Sequence, residues 1–156
     1  PLHFHNTMPS RAAIALDIDG TITTGDPSAL GRLVEHAQRA GVAPLYVNTA
    51  RNQRYCNRPD ATSTVWVAPE RSFCRPSGGD PVEWKIRNMH RMVKDAGVED
   101  PACAVLIDDR TENIAGVVSH GFSGVLVDPT TGVTHDTVRA VLGRLEHCEG
   151  GDRPRR

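Results

Sequence analysis

The ten residues Ala12-Ala13-Ile14-Ala15-Leu16-Asp17-Ile18-Asp19-Gly20-Thr21 decide how this 156-residue chain reads. Ala12 to Leu16 is an apolar run without polar alternation, the pattern of a parallel strand buried on both faces. It ends abruptly in two aspartates and a Gly-Thr turn. Downstream, Asp26-Pro27 opens a helix with Leu30, Leu33, Val34 and Ala37 at helical spacing and Gly41 to stop it. Ala43 to Val47 reads as a second buried strand ending at Asn48-Thr49. Thr64 to Val67 reads as a third, and Pro69 to Gly79, with two Pro and two Gly, as an irregular loop.

Asp80-Pro81 then starts a helix with Ile86, Met89, Val93 and Ala96 along one face and Gly97 behind it. Cys103 to Ile107 is the most apolar strand and ends at Asp108-Asp109. A helix from about Thr111 to His120, a strand at Gly124 to Val127 and a helix from about Thr134 to His147 follow. This alternation predicts an α/β domain over 11–148, with a Rossmann-like, mainly parallel sheet and helices on both faces. Residues 1–10 are set aside as an N-terminal extension and 149–156 as a polar C-terminal tail.

Lys and Arg number 18 against 19 Asp and Glu, so no global basic field points to indiscriminate binding of nucleic acid or membrane. With 38% hydrophobic residues, no span-length apolar run and no signal-like start, the expectation is a soluble, cytoplasmic protein. Cys56, Cys74, Cys103 and Cys148 form no CxxC pair and are expected as reduced thiols, with Cys103 a small core residue. His36, His90, His135 and His147 fall in or near helices and are expected to face solvent.

Three apolar runs thus end in Asp17-Ile18-Asp19-Gly20-Thr21, in Asn48-Thr49-Ala50-Arg51 and in Asp108-Asp109, all at one edge of a parallel sheet, where open α/β sheets bind ligands. Four carboxylates cannot crowd there ionised without a cation, and clustered oxygen ligands suit Mg²⁺. Thr49 and Lys85, the latter near a helix start, could then bind a phosphate. Lys85 is one of only two lysines beside 16 arginines.

This set resembles the haloacid dehalogenase (HAD) superfamily of aspartate-nucleophile phosphohydrolases. Asp17 to Thr21 matches the family's Asp-x-Asp-Gly-Thr motif, Thr49 its strand-end Thr, Lys85 its helix-start Lys, and Asp108-Asp109 its acidic pair, in the family's order from about Ala12 to Asn113. The resemblance implies a Mg²⁺-dependent phosphatase working through an aspartyl-phosphate. Asp17 would be the nucleophile and Asp19 the general acid and base. Asp17, the carbonyl of Asp19 and Asp108 would hold Mg²⁺. Asp109 would act through a metal-bound water, with Asn113 orienting it or the nucleophile, or only capping its helix. Gly20, Thr49, Ala50 and Lys85 would bind the phosphoryl oxygens.

Neither the Thr21–Thr49 nor the Thr49–Lys85 interval has room for the substrate-selecting cap domain common in that family, so a cap-less (C0-type) member is implied. Such an open site suits a bulky phosphate ester. Arg51, Arg54, Arg58, Arg71 and Arg75, set against Asp60 and Glu70 with Tyr55, Trp66 and Phe73 among them, make a nucleic acid end or nucleotide conceivable as substrate, beside a phosphoprotein. The competing readings are a phosphotransferase on the same fold and a non-catalytic binding or regulatory module. An oligomer that donates a lid is also compatible with the pattern.

Overall fold

The first strand, β1 (Ala13–Leu16), is solvent-free along its length because it is sandwiched between two parallel neighbours. Ile14 and Leu16 sit opposite Leu45 and Val47 on one side and opposite Val105 and Ile107 on the other. The computed structural model describes residues 9–39, 43–52, 56, 67, 69–76 and 78–149. Within them β1 leads through a kinked turn, Ile18–Ile22, to α1 (Pro27–Ala37) and β2 (Leu45–Asn52). β3 (Ser72–Arg75), α2 (Pro81–Ala96), β4 (Ala104–Asp108), α3 (Thr111–Ser119), β5 (Ser123–Leu126) and α4 (His135–Glu149) follow.

The five strands are all parallel, in the order β3-β2-β1-β4-β5. α1 packs with α4, and α2 with α3, and right-handed crossovers put these pairs on opposite faces of the sheet. The chain builds outward from β1 to β3, then returns to the far side of β1 for β4. The reversal opens a crevice beyond the carboxyl ends of β1 and β4. Among the described residues no separate cap domain stands over it.

Helices α1 and α2, the second of which borders the crevice, are capped as their sequences require. Asp26 accepts from the N–H of Ser28 at 2.8 Å, and Asp80 from that of Val82 at 3.1 Å, each ahead of a proline that has no N–H to offer. Gly97 ends α2 at a φ of 73°, a left-handed geometry that glycine adopts without penalty.

Some expectations are corrected. Thr64 to Trp66 of the expected third strand lie outside the described residues, and Val67 is in no strand. The strand beside β2 is Ser72-Phe73-Cys74-Arg75, inside the stretch expected to be irregular. Only Phe73 of the four is buried, so an edge strand with polar flanks carried no apolar run to announce it. β2 runs on to Asn52, past Thr49, because β3 offers it a pairing edge there.

The cysteines are not free thiols. Cys103 is bonded to Cys148 and Cys56 to Cys74, with Cα atoms 5.9 and 6.0 Å apart. Separations of 45 and 18 residues hide such pairs from local motifs. His36 does not face solvent either: its Nε2 lies 2.9 Å from the Glu149 carboxylate, and its side chain is only 13% exposed. Glu149 belongs to α4 rather than to the tail. No helix among the described residues is long and apolar enough to cross a membrane.

Candidate functional site

The backbone of Asp17 is fixed one residue beyond β1, where its N–H donates to the carbonyl of Ile107 at 3.0 Å. This bond brings the end of β1 beside the end of β4, so Asp17 and Asp108 lie next to each other at the floor of the crevice. Lys85 reaches both from below. It stands in the second turn of α2, at the head of that helix's buried stripe of Asn88, Met89, Met92 and Ala96. Its Nζ donates to Asp17 Oδ1 at 2.8 Å, to Asp108 Oδ2 at 2.8 Å and to the carbonyl of Asn48 at 2.6 Å.

All three partners are buried, Lys85 itself to 1% exposure. An ion pair withdrawn from water stands only if its hydrogen bonds are complete, and here neighbouring amides complete them. Asn113 Nδ2 lies 3.1 and 3.2 Å from the two Asp108 oxygens, and the N–H of Arg110 donates to Asp108 Oδ1 at 2.9 Å. Asn48 Nδ2 donates to the carbonyl of Lys85, and Asn88 Nδ2 to Asn48 Oδ1.

Burial pushes the Asp17 carboxyl up to about 7; the Lys85 ammonium pulls it back and the Asp108 carboxylate pushes it further. Burial opposes the Lys85 charge, yet Asp17 and Asp108 outweigh it and raise the lysine's pKa. Both shifts run the same way: without a further cation, the cluster holds on to its protons. Asp17, Asp108 and Asp109 each offer an oxygen within 4.8 Å of the others, an all-oxygen donor set suited to Mg²⁺.

Gly20 makes room for that set. Its φ of 73° is left-handed, and a Cβ there would stand 2.7 Å from Asp109 Oδ2 and 3.2 Å from Pro129 Cβ. Gly20→Ala is therefore expected to destabilise the fold by roughly 1–3 kcal/mol through backbone strain. It should also blunt any rise in melting temperature on adding Mg²⁺, because Asp109 is displaced. Thermal denaturation with and without Mg²⁺ checks both; wild-type behaviour in each would show that this close approach is dispensable.

An open cleft of about 680 Å³ lies over the cluster, lined by Asp17, Asp19, Gly20, Thr49, Ala50, Lys85, Asp109 and Asn113 among others. The sequence-selected residues therefore meet at one place, with the fully buried Asp108 directly beneath. Their individual positions differ from expectation in detail. The Gly20 N–H donates to Thr23 Oγ1 at 3.1 Å, Asn113 contacts Asp108 rather than Asp109, and Lys85 spends its bonds on protein groups. Thr49 is buried and its Oγ1 accepts from the N–H of Arg51 at 3.1 Å.

Asp19 is the outlier. Its side chain is 63% exposed, and both carboxylate oxygens are held by the Arg51 fork, Nε donating to Oδ2 at 2.7 Å and Nη2 to Oδ1. That bond keeps the Asp19 carboxyl below its ordinary range against the smaller cost of partial burial. The sequence gives Arg51 no such partner and singles out neither Asn48 nor Asn88. Asn48 did carry a signal, as a polar residue at the end of an apolar strand.

Where it is described, the Arg-rich stretch is partly tied to the fold, although Arg71 stays exposed. Arg75 bonds the carbonyls of Ala50 and Gly79, Arg71 lies 6.0 Å from the Tyr46 ring centre, and Phe73 is buried against that ring. Arg54, Arg58, Tyr55 and Trp66 lie outside the described residues.

The chain matches no protein-family model and no curated protein.

Proposed function

We propose that this chain is a Mg²⁺-dependent phosphohydrolase of HAD type that works through an aspartyl-phosphate on Asp17. The observation that carries the proposal is the buried ion cluster at the switch point, in which one lysine bridges two carboxylates and a third carboxylate lies within metal-sharing distance. A structural ion pair needs no third carboxylate and no cleft above it. A Mg²⁺-dependent phosphoryl-transfer site of the kind proposed uses both, the carboxylates to hold the metal and the cleft to admit the ester.

Mg²⁺ held by Asp17 and Asp108, with Asp109 beside them, would supply the positive charge that lets carboxylates and a phosphoryl group share this volume. The Asp17 carboxylate forms a bond to phosphorus as the ester P–O bond breaks, and the leaving oxygen takes a proton from Asp19. Water then attacks the same phosphorus, gives a proton to Asp19 and releases Asp17 with inorganic phosphate. Lys85 and Asn113 hold Asp17 and Asp108 in place throughout. Asp19 can carry a proton only when Arg51 lets go of it, so the arrangement seen is a resting one.

A cleft that no described residue covers supports a bulky phosphate monoester as substrate. Among the described residues little supports nucleic acid in particular, since Arg75 bonds backbone carbonyls and Phe73 is buried, while Arg71 is exposed. The two disulfides favour an oxidising compartment over the cytoplasm.

The test is phosphate release from an aryl phosphate, sugar phosphates, nucleotides, phosphopeptides and 3′- or 5′-phosphorylated oligonucleotides, with and without Mg²⁺. Release from at least one ester, abolished by chelator, is expected. Undiminished release after exhaustive chelation, or none from any ester with Mg²⁺ present, would overturn the proposal. Transfer to an added alcohol in preference to water would identify a phosphotransferase instead.

A further inference from the structure

We propose that Cys103, Cys148 and His147, with Asp100 as fourth ligand, form a redox-gated Zn²⁺ site at the far end of β4 from the cleft, the two sulfurs bonded to each other in the oxidised chain and to the metal in the reduced one. Cys103 ends the short turn Pro101–Cys103 ahead of β4, and Cys148 lies in the last turn of α4 with His147 before it. The length of β4, roughly 16 Å, separates this place from Asp108. The sulfurs of Cys103 and Cys148 and a ring nitrogen of His147 lie within 4.8 Å of one another.

The separations suit a tetrahedral ion. Donors about 2.0 to 2.3 Å from Zn²⁺ stand about 3.3 to 3.8 Å from each other. His147 Nε2 is 3.4 Å from Cys148 Sγ, and Asp100 Oδ2 is 3.9 Å from Cys103 Sγ, while Asp100 Oδ1 is occupied by the N–H of Ala102. Only the sulfurs have to part, which rotation about the Cα–Cβ bonds allows with Cα atoms 5.9 Å apart. A bridge that served as a staple alone would need neither an imidazole nor a carboxylate beside it.

Donor chemistry selects the ion. Thiolate and imidazole favour Zn²⁺, whereas Asp17, Asp108 and Asp109 offer only hard oxygens. Two thiolates and a carboxylate around a dication leave one net negative charge, and Arg11 lines the same open cavity of about 330 Å³ to offset it. A dithiol reductant gives two electrons and two protons to the Cys103–Cys148 bond and leaves as its own disulfide. Zn²⁺ then displaces one proton from each thiol.

Co²⁺ titration of the reduced full chain, in excess Mg²⁺ to fill the carboxylate set, tests the assignment, because thiolate ligation gives Co²⁺ a charge-transfer absorption that oxygen donors do not. One equivalent, displaced by Zn²⁺, is expected in Cys56→Ser/Cys74→Ser, where Cys103 and Cys148 are the only thiols. In the otherwise wild-type reduced chain, replacing the exposed His147 by Ala should weaken uptake at least about tenfold, and Asp100→Asn, which keeps the acceptor for Ala102, by less. The oxidised chain should show no such band, and Zn²⁺ should slow the return of the bridge under oxidised glutathione. Absence of the band in the reduced chain overturns the proposal. So does a band indifferent to His147→Ala, one lost when only Cys56 and Cys74 are replaced, or a bridge that returns at the same rate with and without Zn²⁺.

Discussion

Asp17→Asn is expected to lower phosphate release by a factor on the order of 10⁴ to 10⁶, the loss seen when a nucleophile that forms a covalent intermediate is removed. An amide cannot form the acyl-phosphate, yet its oxygen can still accept from Lys85 in the place of Asp17 Oδ1. The fold should survive, and in chelator it should gain. Asp17 titrates near 7 in the folded protein against an ordinary 3.8, so the native state is the better proton binder. The stability this group contributes is complete at acid pH and is lost as pH rises from about 4 through 7. Melting curves of the metal-free variant should therefore rise above those of the wild type across that window. Retained phosphatase activity would remove Asp17 as nucleophile, and a variant less stable than wild type at neutral pH would contradict its burial cost.

Lys85→Met is expected to be the most damaging single change to the fold itself. Methionine nearly matches the buried stem but takes from Asp17, Asp108 and the Asn48 carbonyl their shared cationic donor, leaving Asp108 only the neutral donors of Asn113 and Arg110. Removing one partner from a buried ion pair costs roughly 3–5 kcal/mol, because the remaining charge is uncompensated. In a domain of this size that is a fall in melting temperature of about 10 °C. Mg²⁺ should recover more stability in this variant than in the wild type, since the cation then becomes the main source of positive charge for the cluster. Equal stability of variant and wild type in chelator at neutral pH would show that Lys85 is not what holds the two carboxylates together.

How far the sequence alone reached depended on whether a residue's partner was local. β1 and β4 announce themselves because a strand buried on both faces is apolar throughout, and the aspartates that follow are conspicuous by contrast. Lys85 was legible as a rarity at a helix start, but its three bonds were not, since they join residues far apart in the chain. Asp19 and Arg51 are 32 positions apart, and nothing in either neighbourhood marks them as a pair. β3 was missed because an edge strand buries only Phe73 and otherwise looks like loop. The disulfides were missed for the same reason as the ion pair. Covalent and ionic partners alike are chosen by topology, which brings the start of β4 to the end of α4.

The bridge between Cys103 and Cys148 makes the segment between them a covalent ring, and Asp108, Asp109 and Asn113 are inside it while Asp17, Asp19, Thr49 and Lys85 are outside. Tension applied to the chain beyond Cys148 would not peel α4 away turn by turn. It would cross the sulfur atoms and arrive at the foot of β4, a strand hydrogen-bonded on both sides. A tug on the carboxyl terminus is thus borne by the middle of the sheet, with the ring slack beside the line of force. The half of the cleft that carries Asp108, Asp109 and Asn113 travels as a closed loop, protected from fraying of α4.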